Sequence, residues 1–359
     1  MAGVGTLATG ITAAVDEHGT VYHGPLRLGW RIRKGNDWLV PGRDAPVRRS
    51  RPHAAPVVHT ALRISGGDAI ERVYAVGDGD GSAVVVEIEN DSPEAVAVAF
   101  AVDAPGVVTI DADGVRVDGT PSVAFARRPG AVEAGELVVY PVPHRTRVRV
   151  ALTTRPGVDL RALADADAVV RAWDRLLDRG LRTELPEPLQ SEVDAARADL
   201  LLAAPSAEAF AALEAWGFDE EAIEMWARLQ RRARRAAKRV PGRGVLGETR
   251  AALAREDGRT TQILPGFRAA WLGQQLAAHD VPLRRGSCSF AVRWHGARPA
   301  LLWDVPPGTT VRAPELDPTW SSNEAVGETL LAEPSTSLLP MGERAQVHGT
   351  SVDAPDQFS

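Results

Sequence analysis

Short apolar runs fill the first part of the chain. Such runs occur at 57–64, 83–90 and 95–102, and turn-forming Asp, Gly, Ser and Pro residues separate them. Short apolar runs between turns are typical of antiparallel β domains. We therefore expect an N-terminal antiparallel β-sandwich over residues 1–155.

The spacing of apolar residues changes in the middle of the chain. From 159 to 280 the sequence is rich in Ala, Leu and Arg, and apolar residues recur three and four positions apart, as on one face of an α-helix. Glycine and proline interrupt this pattern and predict the helix ends. The predicted helices cover residues 160–179, 188–204, 207–216, 219–240 and 266–279. We expect a central α-helical domain over residues 156–281.

Short strand-like runs return in the last part of the chain. Residues 288–294 and 299–305 are predicted strands, joined by a hairpin at 295–298. Residues 342–359 are polar and have no periodicity, which predicts a flexible tail. The predicted fold class is therefore α+β, with a C-terminal β-region over residues 282–341.

Composition and charge narrow the class of protein. The chain has 359 residues, of which 44% are hydrophobic and 25% charged, and a formal net charge of −6; these values are typical of globular proteins. Its apolar runs are much shorter than the roughly 20 residues of a membrane-spanning helix, and its N-terminus has no signal-peptide pattern. Only Lys34 and Lys238 are lysines among the 41 basic residues, a bias typical of GC-rich bacterial genes. We expect a bacterial, cytoplasmic protein without a membrane partner.

Cysteine and acidic patterns give no indication of a cofactor. Cys288 is the only cysteine, which rules out an intrachain disulfide and a zinc site built from several cysteines. The acidic, glycine-rich segments 77–81 and 111–114 are interpreted as turns, because a calcium-binding EF-hand also needs a terminal bidentate Glu between helices. The sequence predicts neither a metal nor an organic cofactor.

The predicted helix 219–240 carries a row of arginines opposite its apolar stripe. These are Arg228, Arg231, Arg232, Arg235 and Arg239. Clustered guanidinium groups attract phosphate backbones, but the chain is acidic overall and has no nucleic-acid-binding motif. The pattern favours a solvated face or an acidic protein partner over nucleic acid.

The chain has nine Trp but only three Tyr, and flat indole faces often stack on sugar rings. Tryptophans within predicted helices and strands are interpreted as core residues. Three tryptophans near predicted turns are candidates for carbohydrate binding: Trp30, Trp38 and Trp320.

Several segments are similar to parts of one known superfamily, namely residues 63–76, 86–93, 185–189, 212–222 and 290–303. Together they resemble the six-hairpin glycosidases, which include glycogen-debranching-type and glucoamylase-like enzymes. The resemblance implies a β-sandwich followed by an (α/α) toroid and, if the chain is an enzyme, glycoside hydrolysis. Six helical hairpins need roughly 200 residues, whereas 159–280 supplies 122 positions. We therefore expect an incomplete toroid.

Glycoside hydrolysis requires two carboxyl groups at a fixed separation. The candidate carboxyls are Asp174, Glu214, Asp219, Glu220 and Glu224. Asp219 and Glu220 also suit a helix start, where carboxylates interact favourably with the helix dipole. No family catalytic motif matches the predicted loops.

Three hypotheses of function follow. The preferred one is a non-catalytic glycosidase-like protein that binds an oligosaccharide or a protein. The first alternative is an active glycoside hydrolase that acts on an α-glucan or a related oligosaccharide. The second is an interaction scaffold that presents the arginine-rich helix to an acidic partner. The oligomeric state stays open.

Overall fold

The computed structural model describes residues 1–7, 9–78, 81–229 and 244–334. The chain divides into two compact units. The first, which we call the sandwich unit, comprises residues 1–176 and 197–204. The second unit comprises residues 177–196 and the chain from 205 onward.

Two eight-stranded sheets form the sandwich unit. The strands of the first sheet are β1 (Ala2–Thr6), β2 (Gly10–Val15), β3 (Val21–His23), β4 (Leu26–Lys34), β5 (Asp37–Leu39), β10 (Val96–Asp103), β14 (Ala131–Glu133) and β15 (Leu137–Val142). Those of the second are β6 (Val47–Ser50), β7 (Val58–Ile64), β8 (Gly67–Asp78), β9 (Gly81–Asn90), β11 (Val108–Ile110), β12 (Gly114–Val117), β13 (Thr120–Phe125) and β16 (Arg147–Leu152). The first sheet has the order β1-β2-β3-β4-β10-β15-β14, with β5 paired to β4, and the second has the order β11-β12-β13-β16-β9-β8-β7-β6.

The core of the sandwich unit follows from the period-two pattern of its strands. On β4, Leu28, Trp30 and Ile32 are buried and belong to the same apolar cluster as Val86 and Ile88 on β9. Successive side chains of a strand point to opposite faces of a sheet. Each sheet therefore turns every second residue toward the other, and burial of this apolar surface stabilises the unit.

Two smaller sheets form the second unit. The five-stranded sheet, β17-β20-β21-β22-β25, contains β17 (Arg182–Glu184), β20 (Leu276–Leu283), β21 (Gly286–His295), β22 (Arg298–Asp304) and β25 (Val326–Leu330). The four-stranded sheet, β18-β19-β23-β24, contains β18 (Ala254–Asp257), β19 (Thr260–Ile263), β23 (Thr310–Ala313) and β24 (Asp317–Ser322). All pairs are antiparallel except β19 with β23.

The helices of the described chain are short. They are α1 (Ala166–Leu177), α2 (Leu189–Leu201), α3 (Ala207–Ala215), α4 (Asp219–Arg228) and α5 (Gly244–Leu253), with a 3₁₀ turn at Ala269–Trp271. Ser206 caps α3 by accepting the amide of Ala209, as expected of a serine at an N-cap. Among described residues, no helix has both the length and the apolar character needed to cross a membrane.

The predicted α+β fold with a central α-helical, toroid-like domain is wrong, because the chain is mostly β with five short helices among the described residues. The predicted helices at 188–204 and 207–216 are confirmed by α2 and α3. The predicted helix 266–279 is instead a 3₁₀ turn followed by β20. Its small apolar residues have helical spacing, but pairing of β20 with β21 overrides this local preference.

The predicted helix 219–240 begins as expected and ends early. The last helical residue of α4 is Arg228, because Leu229 adopts an extended backbone with ψ of 136°. Arg231, Arg232, Arg235 and Arg239 lie outside the described residues. Within α4, Arg228 lies 3.9 Å from Glu224 one turn earlier, a spacing that stabilises a helix.

Candidate binding pocket in the sandwich unit

A pocket of about 650 Å³ opens in the sandwich unit where three turns meet. We call it the mixed pocket. Its walls come from the end of β4, from the turn between β7 and β8, and from the connection between β9 and β10. Its lining includes the apolar residues Ile32, Ile64 and Val96 and the polar residues Lys34, Ser65 and Glu94. The volume lies within the usual range of small-molecule sites.

The floor and rim of the mixed pocket differ in chemistry. Ile32 belongs to the buried core, and Ile64 and Val96 pack against it, which makes the floor apolar. At the rim, the side chains of Lys34 and Glu94 have no polar partner among the described residues. The rim thus offers a cationic donor and an anionic acceptor within one cavity.

A rigid connection supports one wall of the mixed pocket. The buried Asn90 side chain donates to the backbone oxygens of Glu94, at 2.7 Å, and Val142, at 3.0 Å. Its own oxygen accepts the amide of Ser92 at 3.0 Å and the hydroxyl at 2.7 Å. Gly67 allows close approach of this connection, because a Cβ there would lie 2.2 Å from the oxygen of Asp91. The backbone at Glu94 is therefore held in place.

Other charged groups near the mixed pocket already have partners. Arg33 donates to Glu133 at 2.6 Å. Asp44 accepts hydrogen bonds from the Arg43 guanidinium and the Val40 amide, and these lower the pKa of Asp44 to about 2. These pairs shape the surroundings of the pocket and leave Lys34 and Glu94 as its available charges.

A row of polar side chains crosses the outer face of the second sheet. His59, Arg72, Glu87 and Arg149 stand directly opposite one another on β7, β8, β9 and β16. Glu87 is fully buried and accepts hydrogen bonds from Tyr74 at 2.7 Å and Arg147 at 2.8 Å. Buried charges are tolerated where they are paired in this way. Burial and then Arg72 lower the pKa of His59 to about 4, which keeps this imidazole neutral near pH 7.

The same row attaches the segment before α1 to the sheet. Arg149 donates to the backbone oxygens of Leu160, at 3.2 Å, and Ala164, at 2.8 Å, and to the Tyr74 hydroxyl at 3.0 Å. Its Nε lies 3.2 Å from Glu87. Because Glu87, Tyr74 and Arg149 are partners of one another, this part of the row is a structural network.

A second polar group lies inside the sandwich core. Glu71, Thr60 and Trp30 are all buried, and their side-chain polar atoms make no hydrogen bond of normal geometry within the described residues. Burial raises the pKa of Glu71 well above its ordinary value, while the facing Thr60 and Trp30 side chains oppose the shift. Gly19 closes over the group, because a Cβ there would lie 2.1 Å from the Glu71 carboxylate. The geometry favours a protonated, neutral Glu71.

The three candidate tryptophans have different surroundings. Trp30 is only 2% exposed, which leaves its ring no face for a sugar. Trp38 donates to Glu133 at 3.0 Å, and the Arg33 guanidinium lies 4.4 Å above its ring. In the second unit, Trp320 packs against Trp303 with ring centroids 5.0 Å apart. None of the three lines the mixed pocket.

The candidate carboxyls are all on the surface. Asp174 is exposed in the sandwich unit, and the other four are exposed in the second unit. Glu220 pairs with Arg179. Burial and then nearby Asp219 raise the pKa of Glu214. Among the described residues, no group of three His, Cys, Asp or Glu side chains is placed to hold a metal ion.

Comparisons of the chain with models of known protein families, with curated proteins and with solved structures find no match.

Sequence reasoning missed Lys34, Ser65 and Glu94. Each lies beside a turn signal, next to Gly35, Gly66 and Pro93. Charged and hydroxyl residues at strand ends are a usable signal for a site on loops. The sequence did not indicate that these three turns meet at one pocket, because that depends on pairing between distant strands.

Proposed function

We propose that the chain is a non-catalytic carbohydrate-binding protein that takes a neutral oligosaccharide in the mixed pocket. The supporting observation is the combination of an apolar floor with unpaired Lys34 and Glu94 at the rim. A sugar ring presents an apolar face and a rim of hydroxyl groups, each of which both donates and accepts hydrogen bonds. An ammonium donor and a carboxylate acceptor complement such hydroxyls, and charged partners make the stronger hydrogen bonds.

The surface position of the candidate carboxyls supports a non-catalytic role. A glycosidase keeps one carboxyl protonated by its environment and holds the second at a fixed distance across the scissile bond. Glu220 and Glu224 are instead exposed and lie beside Arg179 and Arg228.

Active hydrolysis is the second candidate, and the observation in its favour is the raised pKa of Glu214 beside Asp219. A raised pKa is a property of a general acid. An acidic protein partner for Arg228 and the arginines that follow it stays a prediction.

We restrict the proposed descent from the six-hairpin glycosidases to the sandwich unit, because the described residues of the second unit form two sheets and short helices instead of a toroid. We also propose a cytoplasmic location for the chain. The buried thiol of Cys288 is compatible with a reducing compartment.

The test is calorimetric titration with maltotriose, cellotriose and xylotriose. We expect at least one of these sugars to bind. Substitution of Lys34→Met together with Glu94→Gln should weaken that binding at least about tenfold, since each removes a charged hydrogen-bonding partner.

The matched control is Arg27→Met with Asp103→Asn, which removes an exposed ion pair of 3.8 Å elsewhere in the same unit. Neither double variant changes the net charge. Absence of binding at millimolar sugar, or equal weakening in both variants, contradicts the proposal. Release of reducing ends that is lost in Glu214→Gln would favour the hydrolase instead.

A further inference from the structure

A second cavity of the sandwich unit has a different charge character. It measures about 410 Å³ and lies beside β12, β13 and the loop that follows β16. Five arginines line it: Arg116, Arg127, Arg128, Arg155 and Arg161. Only two carboxylates, Asp111 and Asp113, accompany them. We call this cavity the arginine pocket.

Asp111 and Arg116 of this pocket take part in interactions of the local turn. The Asp111 carboxylate accepts the amides of Asp113, at 2.8 Å, and Gly114, at 2.9 Å, and lies 3.6 Å from Arg116. It thereby closes the turn between β11 and β12. Asp111 is thus engaged by its own turn and by Arg116, and it contributes little compensating charge to the rest of the pocket.

Arg127 is fixed in position on one wall. It donates to the backbone oxygen of Pro141 at 2.7 Å, and its guanidinium lies 5.6 Å from the centre of the Tyr140 ring. Contact with an aromatic ring orients a guanidinium while leaving its charge in place. The next residue, Arg128, is thereby carried on an anchored segment.

Two of the guanidinium groups are available for a ligand. Within the described chain, the side chains of Arg128 and Arg161 make no hydrogen bond, ion pair or ring contact. They come from distant positions, one after β13 and the other from the loop before α1. The fold therefore gathers more arginines than carboxylates around one cavity, five against two.

We propose that the arginine pocket binds a small molecule that carries at least two oxyanion groups, either phosphates or carboxylates. A guanidinium presents a planar fork of N–H donors that matches both groups. Two available forks correspond to two such groups. This site is separate from the mixed pocket, and the proposal does not depend on carbohydrate binding.

The limited size of the site favours a small ligand over nucleic acid. Nucleic-acid-binding surfaces are typically extended basic patches or grooves on basic domains, whereas this chain has a formal net charge of −6 and the arginines surround a single cavity. The volume suffices for a ligand of the size of a sugar phosphate or a tricarboxylate.

The experiment is calorimetric titration of the full chain with inorganic pyrophosphate and, separately, with citrate. We expect at least one to bind, and the comparison distinguishes phosphate from carboxylate recognition. Arg128→Met with Arg161→Met should weaken that binding at least about tenfold. The control, Arg27→Met with Arg48→Met, removes two exposed arginines from the same unit and should change it by less than about threefold.

Three results would overturn the inference: no binding of either anion, equal weakening in both double variants, or binding of a single-stranded RNA in preference to both small anions. The Lys34→Met, Glu94→Gln variant separates the two proposals. It should keep full affinity for the anion, whether or not the sugars bind to the unmodified chain.

Discussion

Glu71 is the residue whose environment departs furthest from that of an ordinary surface carboxyl. It lies among apolar side chains, with the Trp30 indole and the Thr60 hydroxyl facing it. Removal of a carboxylate from water without a cationic partner raises the free energy of its charged form. The folded state therefore holds a proton that the unfolded chain releases near its ordinary pKa.

This linkage predicts a pH-dependent stability. Because the pKa of Glu71 is raised in the folded state, the unfolded state binds fewer protons above the ordinary value of 4.5, and stability falls as pH rises. Glu71→Gln cannot ionise and should remove this contribution. Relative to the variant, the unmodified chain should lose stability progressively as the pH rises above the ordinary value of 4.5.

Urea unfolding of both proteins at several pH values measures the difference. Comparison of the two cancels the titration of other groups, including His59, whose lowered pKa acts in the opposite direction. Parallel stability curves for the two proteins would show that Glu71 is not protonated by the fold.

At the scale of elements, Arg149 connects a strand to the segment before α1. It donates hydrogen bonds to the backbone oxygens of Leu160 and Ala164 and forms an ion pair with Glu87. Those oxygens precede the first turn of the helix, where Asp165 accepts the amide of Ala168 at 2.8 Å. The half-buried Arg149 side chain thus helps to position the segment that leads into α1.

Replacement of Arg149 by Met should therefore release this segment. We expect a loss of about 2 kcal/mol in the free energy of unfolding, since hydrogen bonds to a charged group are removed. Hydrogen exchange of the amides from 160 to 176 should accelerate. Arg147→Met is the control, because Arg147 also pairs with Glu87 but, among the described residues, donates no hydrogen bond to the backbone of the segment. Equal acceleration in both variants would contradict the assignment.

For some strands and helices, the local sequence pattern was sufficient to predict the structure. The short apolar runs at 57–64 and 83–90 become β7 and β9, and the helical spacing at 188–204 becomes α2. Helical spacing also predicted a helix at 266–279, and this prediction is wrong, because β20 gains its stability from pairing with β21. The helical spacing of apolar residues continues beyond Arg228, but α4 ends there and the backbone is extended at Leu229.

At the scale of the whole molecule, Cys288 reports on the integrity of the second unit. It is fully buried on β21, in the middle of the five-stranded sheet, and burial raises the pKa of its thiol to about 12. A protonated, inaccessible thiol does not attack disulfide reagents. Reaction should therefore require opening of this sheet.

We expect no labelling of the native chain by an aromatic disulfide reagent over minutes, and complete labelling in denaturing urea. Measurement across a urea titration should give a labelling midpoint that coincides with the loss of β structure in the second unit. Cys288→Ser, which removes the thiol, provides the blank. Rapid stoichiometric labelling without denaturant would contradict the burial of this residue.

The sequence by itself determined the β pattern of the first 155 residues, the acidic and cysteine-poor composition, and the helices that become α2 and α3, because periodicity and capping act between near neighbours. Only the tertiary structure decided that the middle of the chain contributes strands to two sheets. It also decided that Trp30 is core and that Lys34 and Glu94 share a pocket. Arg128 and Arg161 meet at one cavity for the same reason. These outcomes depend on pairing between residues far apart in sequence. The strand with which a segment pairs determines the backbone conformation of that segment and the residues that surround it.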